Sequence, residues 1–209
     1  MKKILLIFGT RPEAIKMAPL VKEFQKHPEV FDTKVCVTAQ HREMLDQVLD
    51  FFDITPDYDL TATIIESLKP ILEKFEPDFV FVHGDTTTTM AGSIASFYSG
   101  AKVCHVEAGL RTYNKLSPFP EEINRQITSR VCDYHFAPTE TSKKNLLKEN
   151  VSEDSILVTG NTVIDALLKS VEKVNQNPSK LIQDLSHKIG DLEVILVTGH
   201  RRENIIKNV

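Results

Sequence analysis

The chain has 209 residues, 41% of them hydrophobic and 26% charged, an ordinary globular composition with enough apolar material for a packed core. Its 25 basic and 29 acidic side chains leave a formal net charge of −4, which argues against a surface built to coat nucleic-acid phosphates. No run of about 18 apolar residues occurs, so no membrane-spanning helix is expected, and the length fits one large domain or one domain with a piece of another.

The opening apolar run, Ile4–Phe8, is short and a charged helical pattern follows it. It reads as a buried first strand and not as a signal peptide, so a cytoplasmic protein is expected. Further strands are predicted over Lys34–Thr38, Asp78–His83, Lys102–Val106, Tyr134–Ala137, Ile156–Thr159 and Glu193–Thr198. Ile, Val, Phe and Cys dominate them without clean polar alternation, as suits strands covered on both faces of a parallel sheet. Helical patterns fill the intervals: Pro12–Lys26, Arg42–Phe52, Thr63–Lys74, Thr88–Ser99, Glu121–Cys132, Thr139–Glu149 and Thr162–Val174. Pro12 fits a first helical position, where its missing N–H costs nothing. Thr139 and Asn161-Thr162 are placed to cap the helices that follow them. The βαβα order predicts an α/β fold, a Rossmann-like doubly wound parallel sheet with right-handed crossovers. Val174–Gly190, with Asn177, Pro178 and Gly190, reads as a polar linker containing one short helix. A boundary is expected there: residues 1–178 form one domain, and 179–209 a linker with the first strand and loop of another. Cys36, Cys104 and Cys132 are odd in number and lack CxxC spacing, so they read as buried reduced thiols.

Ligands of open α/β sheets bind at the carboxyl ends of the strands. Polar residues gather at five of those ends: Gly9–Lys16, His83–Thr89, Glu107–Thr112, Gly160–Thr162 and Gly199–Glu203. Together they predict a pocket for a polar, anionic ligand. GxGxxG, GxxxxGK[ST] and GxSxG are all absent, so neither a dinucleotide fingerprint, a Walker loop nor a serine nucleophile elbow is present. Arg11 and Lys16 sit near a helix start, where cations oppose the macrodipole unless an anion lies between them. The hydroxyls of Thr86–Thr89 suit either helix capping or sugar and phosphate binding. His83/Asp85 and His105/Glu107 have i,i+2 spacing, which puts each pair on one strand face. Two readings stay open for them, a metal site or hydrogen-bonded histidines with the carboxylates projecting from the strand ends. Glu121 and Glu122 follow Pro118 and Pro120 at a helix start, where favourable placement on the dipole accounts for both.

Seven segments together resemble the bacterial non-hydrolysing UDP-N-acetylglucosamine 2-epimerases. They are Phe8-Gly-Thr-Arg-Pro-Glu-Ala-Ile-Lys16, Thr38-Ala-Gln-His-Arg-Glu43, His83-Gly-Asp-Thr-Thr-Thr88, His105-Val-Glu-Ala-Gly-Leu-Arg-Thr112, Ser117-Pro-Phe-Pro-Glu-Glu122, Gly160-Asn-Thr-Val-Ile-Asp165 and Thr198-Gly-His-Arg-Arg-Glu203. The resemblance implies one Rossmann-like half of a two-domain glycosyltransferase B-type (GT-B) fold. It implies interconversion of UDP-N-acetylglucosamine and UDP-N-acetylmannosamine for surface polysaccharides. The route implied is elimination of UDP to 2-acetamidoglucal followed by re-addition. It further implies a homodimer that uses neither metal nor redox cofactor, with no nucleic-acid or membrane partner. By the same resemblance Asp85, Glu107 and Glu121 are the acid/base residues. His200 and Arg11 assist the diphosphate with Lys16 close by, and Arg111 and Asn161 bind substrate. Gln40, Glu122 and Arg125 are assigned to a second, regulatory UDP-N-acetylglucosamine site. A cluster of buried carboxylates is expected to raise some of their pKa values.

Two departures matter. Family members run to nearly twice this length, and the segment between Leu60 and Glu66 is shorter than usual. The chain alone is therefore expected to lack enclosure by a second wall and to be weakly active or inactive. Two alternatives are a non-catalytic sugar-nucleotide-binding or regulatory module, and a metal hydrolase using His83, Asp85, His105 and Glu107.

Overall fold

The computed structural model describes residues 1–38, 42–60, 64–190 and 192–195. The expected regulatory residue Gln40, the diphosphate residue His200 and the loop Gly199–Glu203 lie outside the described residues. The chain divides into two compact units, Met1–Leu168 and Lys169–Val209.

Seven parallel strands form one sheet, β1 (Lys2–Phe8), β2 (Phe31–Val37), β3 (Tyr58–Asp59), β4 (Phe79–His83), β5 (Lys102–Val106), β6 (Tyr134–Ala137) and β7 (Ile156–Val158). Their order is β3-β2-β1-β4-β5-β6-β7, the doubly wound α/β arrangement expected. The helices are α1 (Arg11–Gln25), α2 (Arg42–Phe51), α3 (Ile64–Phe75), α4 (Thr87–Ser99), α5 (Glu121–Val131), α6 (Glu140–Lys148), α7 (Val163–Gln176) and α8 (Lys180–Ile189).

The period-two geometry of β1 divides the core. Ile4, Leu6 and Phe8 face one side with Met17 and Val21 of α1 and Leu45 and Leu49 of α2. Leu5 and Ile7 face the other with Leu68 and Leu72 of α3 and Ala95 of α4. A strand that is buried on both faces needs no polar alternation, which is why the apolar runs were readable as strands. Helix starts follow capping chemistry. Thr10 and Glu13 form a capping box on α1, with Pro12 in its first turn. Thr139 accepts the N–H of Ser142, and Asn161 Oδ1 accepts the N–H of Val163.

Three sequence expectations are revised. The two-residue strand β3 was not anticipated, because Tyr58-Asp59 has no apolar run and pairs only through Cys36 and Val37 of β2. β2 begins at Phe31, not Lys34, because Phe31–Thr33 extend the ladder by pairing with Lys2–Ile4. Glu193–Ile195 of the expected last strand are not in a strand. A strand exists only through its ladder, and among the described residues nothing pairs with that segment. The rest of it lies outside the described residues.

Candidate active site

The loops after β1, β4 and β5 meet at one sheet edge. Gly9 closes β1, where a Cβ would lie 2.1 Å from Thr38 Oγ1 and 2.6 Å from Thr88 Oγ1. Only glycine fits, and the chain passes directly into the Thr10 cap of α1. One turn along, Lys16 projects to the loop after β5, where its Nζ donates to Glu107 Oε2. The same oxygen lies 3.0 Å from Nε2 of His83 at the end of β4. Both His83 ring nitrogens are buried and neither makes an aligned hydrogen bond among the described residues. Burial pushes the Glu107 carboxyl up, but His83 and the Lys16 ammonium outweigh this and hold it at about 2. Glu107 also sits in the left-handed region at φ 66°, strained backbone for a residue with a side chain. Gly109 follows at φ 86°, where a Cβ would meet Ser142 O at 2.3 Å.

A second cluster surrounds Asp85. Arg125 of α5 grips Asp85 Oδ2 through Nε at 2.9 Å and through Nη2. Asn124 Nδ2 donates to the Asp85 carbonyl at 2.8 Å. Glu122 is fully buried. It accepts the backbone N–H groups of Thr112 and Tyr113, Gln126 Nε2 and Arg125 Nη1, and these bonds hold its pKa below the ordinary value against the opposing effect of burial. Glu121, one turn before Arg125, has an Oε2 that is buried with no hydrogen-bond partner among the described residues. The bonds from Ser117 to Pro118 and from Phe119 to Pro120, just before α5, are both cis.

Several expectations change against this geometry. Glu107 and Glu122 are lowered in pKa and not raised. Glu107 is paired with Lys16 and Asp85 with Arg125. His83 meets Glu107 across strands, not Asp85 along its own. His105 Nε2 lies 2.7 Å from the Gly84 carbonyl. The set of His83, Asp85, His105 and Glu107 therefore does not converge, and no metal-ligating group of three or more appears among the described residues. Arg111, expected to bind substrate, has a fully buried side chain. It is clamped to both Glu149 oxygens, at 2.7 Å and 2.8 Å, and also bonds Ser129 and the Leu110 carbonyl. It braces the loop after β5. Glu122 is occupied in the same way and presents no free oxygen to a ligand. Lys16 meets an internal carboxylate, Glu107. Arg11 is exposed, and Asn161 sits at the start of α7 with its Oδ1 in the cap. The hydroxyls of Thr86, Thr88 and Thr89 serve capping and packing. Glu13 was missed, although Thr-x-x-Glu at a helix start is a legible capping-box signal. His83 was weighed, but without its true partner.

A family model described as UDP-N-acetylglucosamine 2-epimerase matches residues 22–208. The chain belongs to this family. The UDP-N-acetylglucosamine 2-epimerase of Salmonella borreze is 56% identical over 98% of the chain and 58% of its own length. The crystal structure of the Neisseria meningitidis UDP-GlcNAc 2-epimerase bound to UDP-GlcNAc superimposes with TM-score 0.83 at 54% identity, covering 90% of this chain and 54% of that one. The Methanocaldococcus jannaschii UDP-GlcNAc 2-epimerase, in complex with UDP-GlcNAc and UDP, does so with TM-score 0.81 at 33% identity, over 90% of this chain and 54% of that one. The chain thus spans somewhat more than half the length of these epimerases, and its fold is a Rossmann-like half of the GT-B type. None of its described helices is long and apolar enough to cross a membrane.

Proposed function

We propose that the chain is the half of a cytoplasmic UDP-N-acetylglucosamine 2-epimerase that handles the reacting sugar carbon. The reaction interconverts UDP-N-acetylglucosamine and UDP-N-acetylmannosamine and feeds surface polysaccharide synthesis. Residues 1–178 form this half, and 179–209 lead into the second. The observation that carries the reading is the meeting of Lys16, His83 and Glu107 at the ends of three neighbouring strands, in an edge that also holds the Arg125-bound Asp85.

Inversion at carbon 2 needs one group to take its proton and another to return one on the opposite face. As the first proton leaves, its bonding pair forms the C1–C2 double bond. The C1–O bond then breaks towards the diphosphate, giving 2-acetamidoglucal and UDP. Re-addition reverses these movements, with protonation on the other face. A carboxylate with a pKa of about 2 is a weak base near neutral pH, so Glu107 serves to hold the Lys16 ammonium. Asp85 and Glu121 carry the protons, and the unpartnered Glu121 oxygen is free to do so. Lys16, Arg11 and His200 stabilise the departing diphosphate. Asn161 contributes to substrate binding. Gln40 and Arg125 belong to a regulatory subsite, Arg125 acting through its grip on Asp85. The chain works as a homodimer.

The test is proton exchange at carbon 2. The 209-residue chain is incubated with UDP-N-acetylglucosamine in deuterated water, alone and with the remaining part of a family member's fold supplied in trans. Weak or no exchange alone, with deuterium at carbon 2 and UDP-N-acetylmannosamine formed on complementation, is the expected result. No exchange in either case overturns the reading.

A further inference from the structure

The direction of winding reverses between β1 and β4. From β1 the chain leaves through α1 towards β2, and from β4 it leaves through α4 towards β5. The two helices pack on opposite faces of the sheet. In an open α/β sheet this is the crevice where ligands bind, and two helix N-termini flanking it favour an anion. Here the crevice is filled from within by Glu13, which is 2% exposed. Its Oε2 accepts the backbone N–H of Gly9 at 2.9 Å and of Thr10 at 2.7 Å. Its Oε1 accepts the hydroxyl of Thr86 and lies 3.1 Å from that of Thr89, whose single proton is shared with the His83 carbonyl. Thr10 and Thr86 are the N-caps of α1 and α4. Three donors from two helix starts, the N–H groups of Gly9 and Thr10 and the hydroxyl of Thr86, thus converge on one carboxylate with the Thr89 hydroxyl beside them, as they would on a bound phosphate. The close packing at Gly9 keeps the backbone within reach.

We propose that Glu13 is an internal anion that occupies the switch-point crevice, closing it to phosphate and tying the loop after β1 to the loop after β4. The proposal does not depend on the epimerase reading, because it concerns the occupancy of the crevice and no reaction step. It restricts the ligand nonetheless: a phosphate group cannot enter between Gly9 and Thr86 and must bind elsewhere.

The experiment is a titration of the isotope-labelled 209-residue chain with inorganic phosphate, at ionic strength matched with chloride. It is run on the wild type, Glu13→Ala and Glu13→Gln, reading the Gly9 and Thr10 amide resonances and the thermal midpoint. In the wild type the two resonances stay still. In Glu13→Ala the midpoint falls by several degrees, the two resonances move saturably with phosphate, and part of the midpoint returns. In Glu13→Gln the midpoint also falls, since an amide nitrogen cannot accept from the donors it faces, while the resonances stay still because the crevice remains filled. Movement of Gly9 and Thr10 in the wild type overturns the proposal. So does a Glu13→Ala chain that is as stable as wild type or blind to phosphate. If Glu13→Ala does not fold, Glu13→Gln decides: a lowered midpoint supports the internal anion, and an unchanged midpoint overturns it.

Discussion

Arg111 shows how much a single residue's role depends on its partners. By position it follows a strand end beside Glu107, where a cation suits an anionic substrate. Its planar fork is instead closed on Glu149, 38 positions away in sequence. A buried pair of this kind contributes little compared with an apolar replacement of both members, but breaking it leaves a buried charge uncompensated. Arg111→Ala is therefore expected to lose about 3–5 kcal/mol of stability, read from the shift in denaturation midpoint. Glu149→Ala should lose a similar amount, and the double variant far less than the sum. Additive losses would show that the two side chains act separately. Glu107 makes the same point in the opposite sense. A cluster of buried carboxylates was expected to raise some of their pKa values, yet His83 and Lys16 hold Glu107 at about 2 against the effect of burial.

Between elements, the histidines of β5 and β6 give the protein an acid limit. His105 and His135 are paired in register on the neighbouring strands. Burial lowers His105 to about 3, against the opposing hydrogen bond to Gly84, and His135, His83 and Arg111 lower it further. Burial lowers His135 too, against its bonds to Ser129 and Ser155, and Arg111 adds to the lowering while Asp133 opposes it. The folded state therefore binds protons less readily than the unfolded chain. These groups impose no penalty above the ordinary histidine pKa of 6.5, and their penalty grows as pH falls from 6.5 towards 3. Glu107 adds a loss between 4.5 and about 2. The thermal midpoint is expected to fall steadily with acidification below 6.5. His105→Gln, which keeps a donor for Gly84 without a titrating ring, should flatten the upper part of that fall. An unchanged slope in the variant would assign the acid sensitivity elsewhere. Elements were legible where burial alone defines them. The runs Lys102–Val106 and Tyr134–Ala137 were placed to the residue because apolar side chains dominate them, Val103, Cys104, Val106 and Ala137 being buried. The two-residue β3 left no such trace, since backbone pairing makes it. The site was legible as a set of strand ends and illegible as a set of bonds. Position along the chain identifies Asp85 and Glu107, but nothing local tells which cation each will meet. Glu13 reaches Thr89 across 76 positions.

At the scale of the whole molecule, the exposed patch on the α3 and α4 side of the sheet is where the proposed homodimer is predicted to pair. Phe97 and Tyr98 of α4 stack edge to face and are 56% and 83% exposed. Beside Tyr98 runs a groove lined by Ile65 and Leu72 of α3 and by Ala95, with Glu66, Lys69 and Glu73 along it. Exposed aromatics rimmed by charge mark an interaction surface. A two-fold interface brings the same patch together from both sides, so a patch that holds both Lys69 and Glu66 can complement itself. A stable interface needs roughly 800 Å² from each partner. Light scattering is expected to give roughly twice the 23.6 kDa chain mass. Tyr98→Glu places a charge at the centre of the patch and should return the monomer with its thermal midpoint no longer dependent on concentration. A wild-type monomer at every concentration, or a Tyr98→Glu dimer as tight as wild type, would remove this face as the contact. The active-site edge is built from the carboxyl ends of β1, β4 and β5, and Tyr98 lies in the last turn of α4, near the opposite ends of the strands. Losing the dimer is therefore expected to leave carbon 2 exchange in the complemented enzyme unchanged, and a loss of both together would show that pairing also shapes the site.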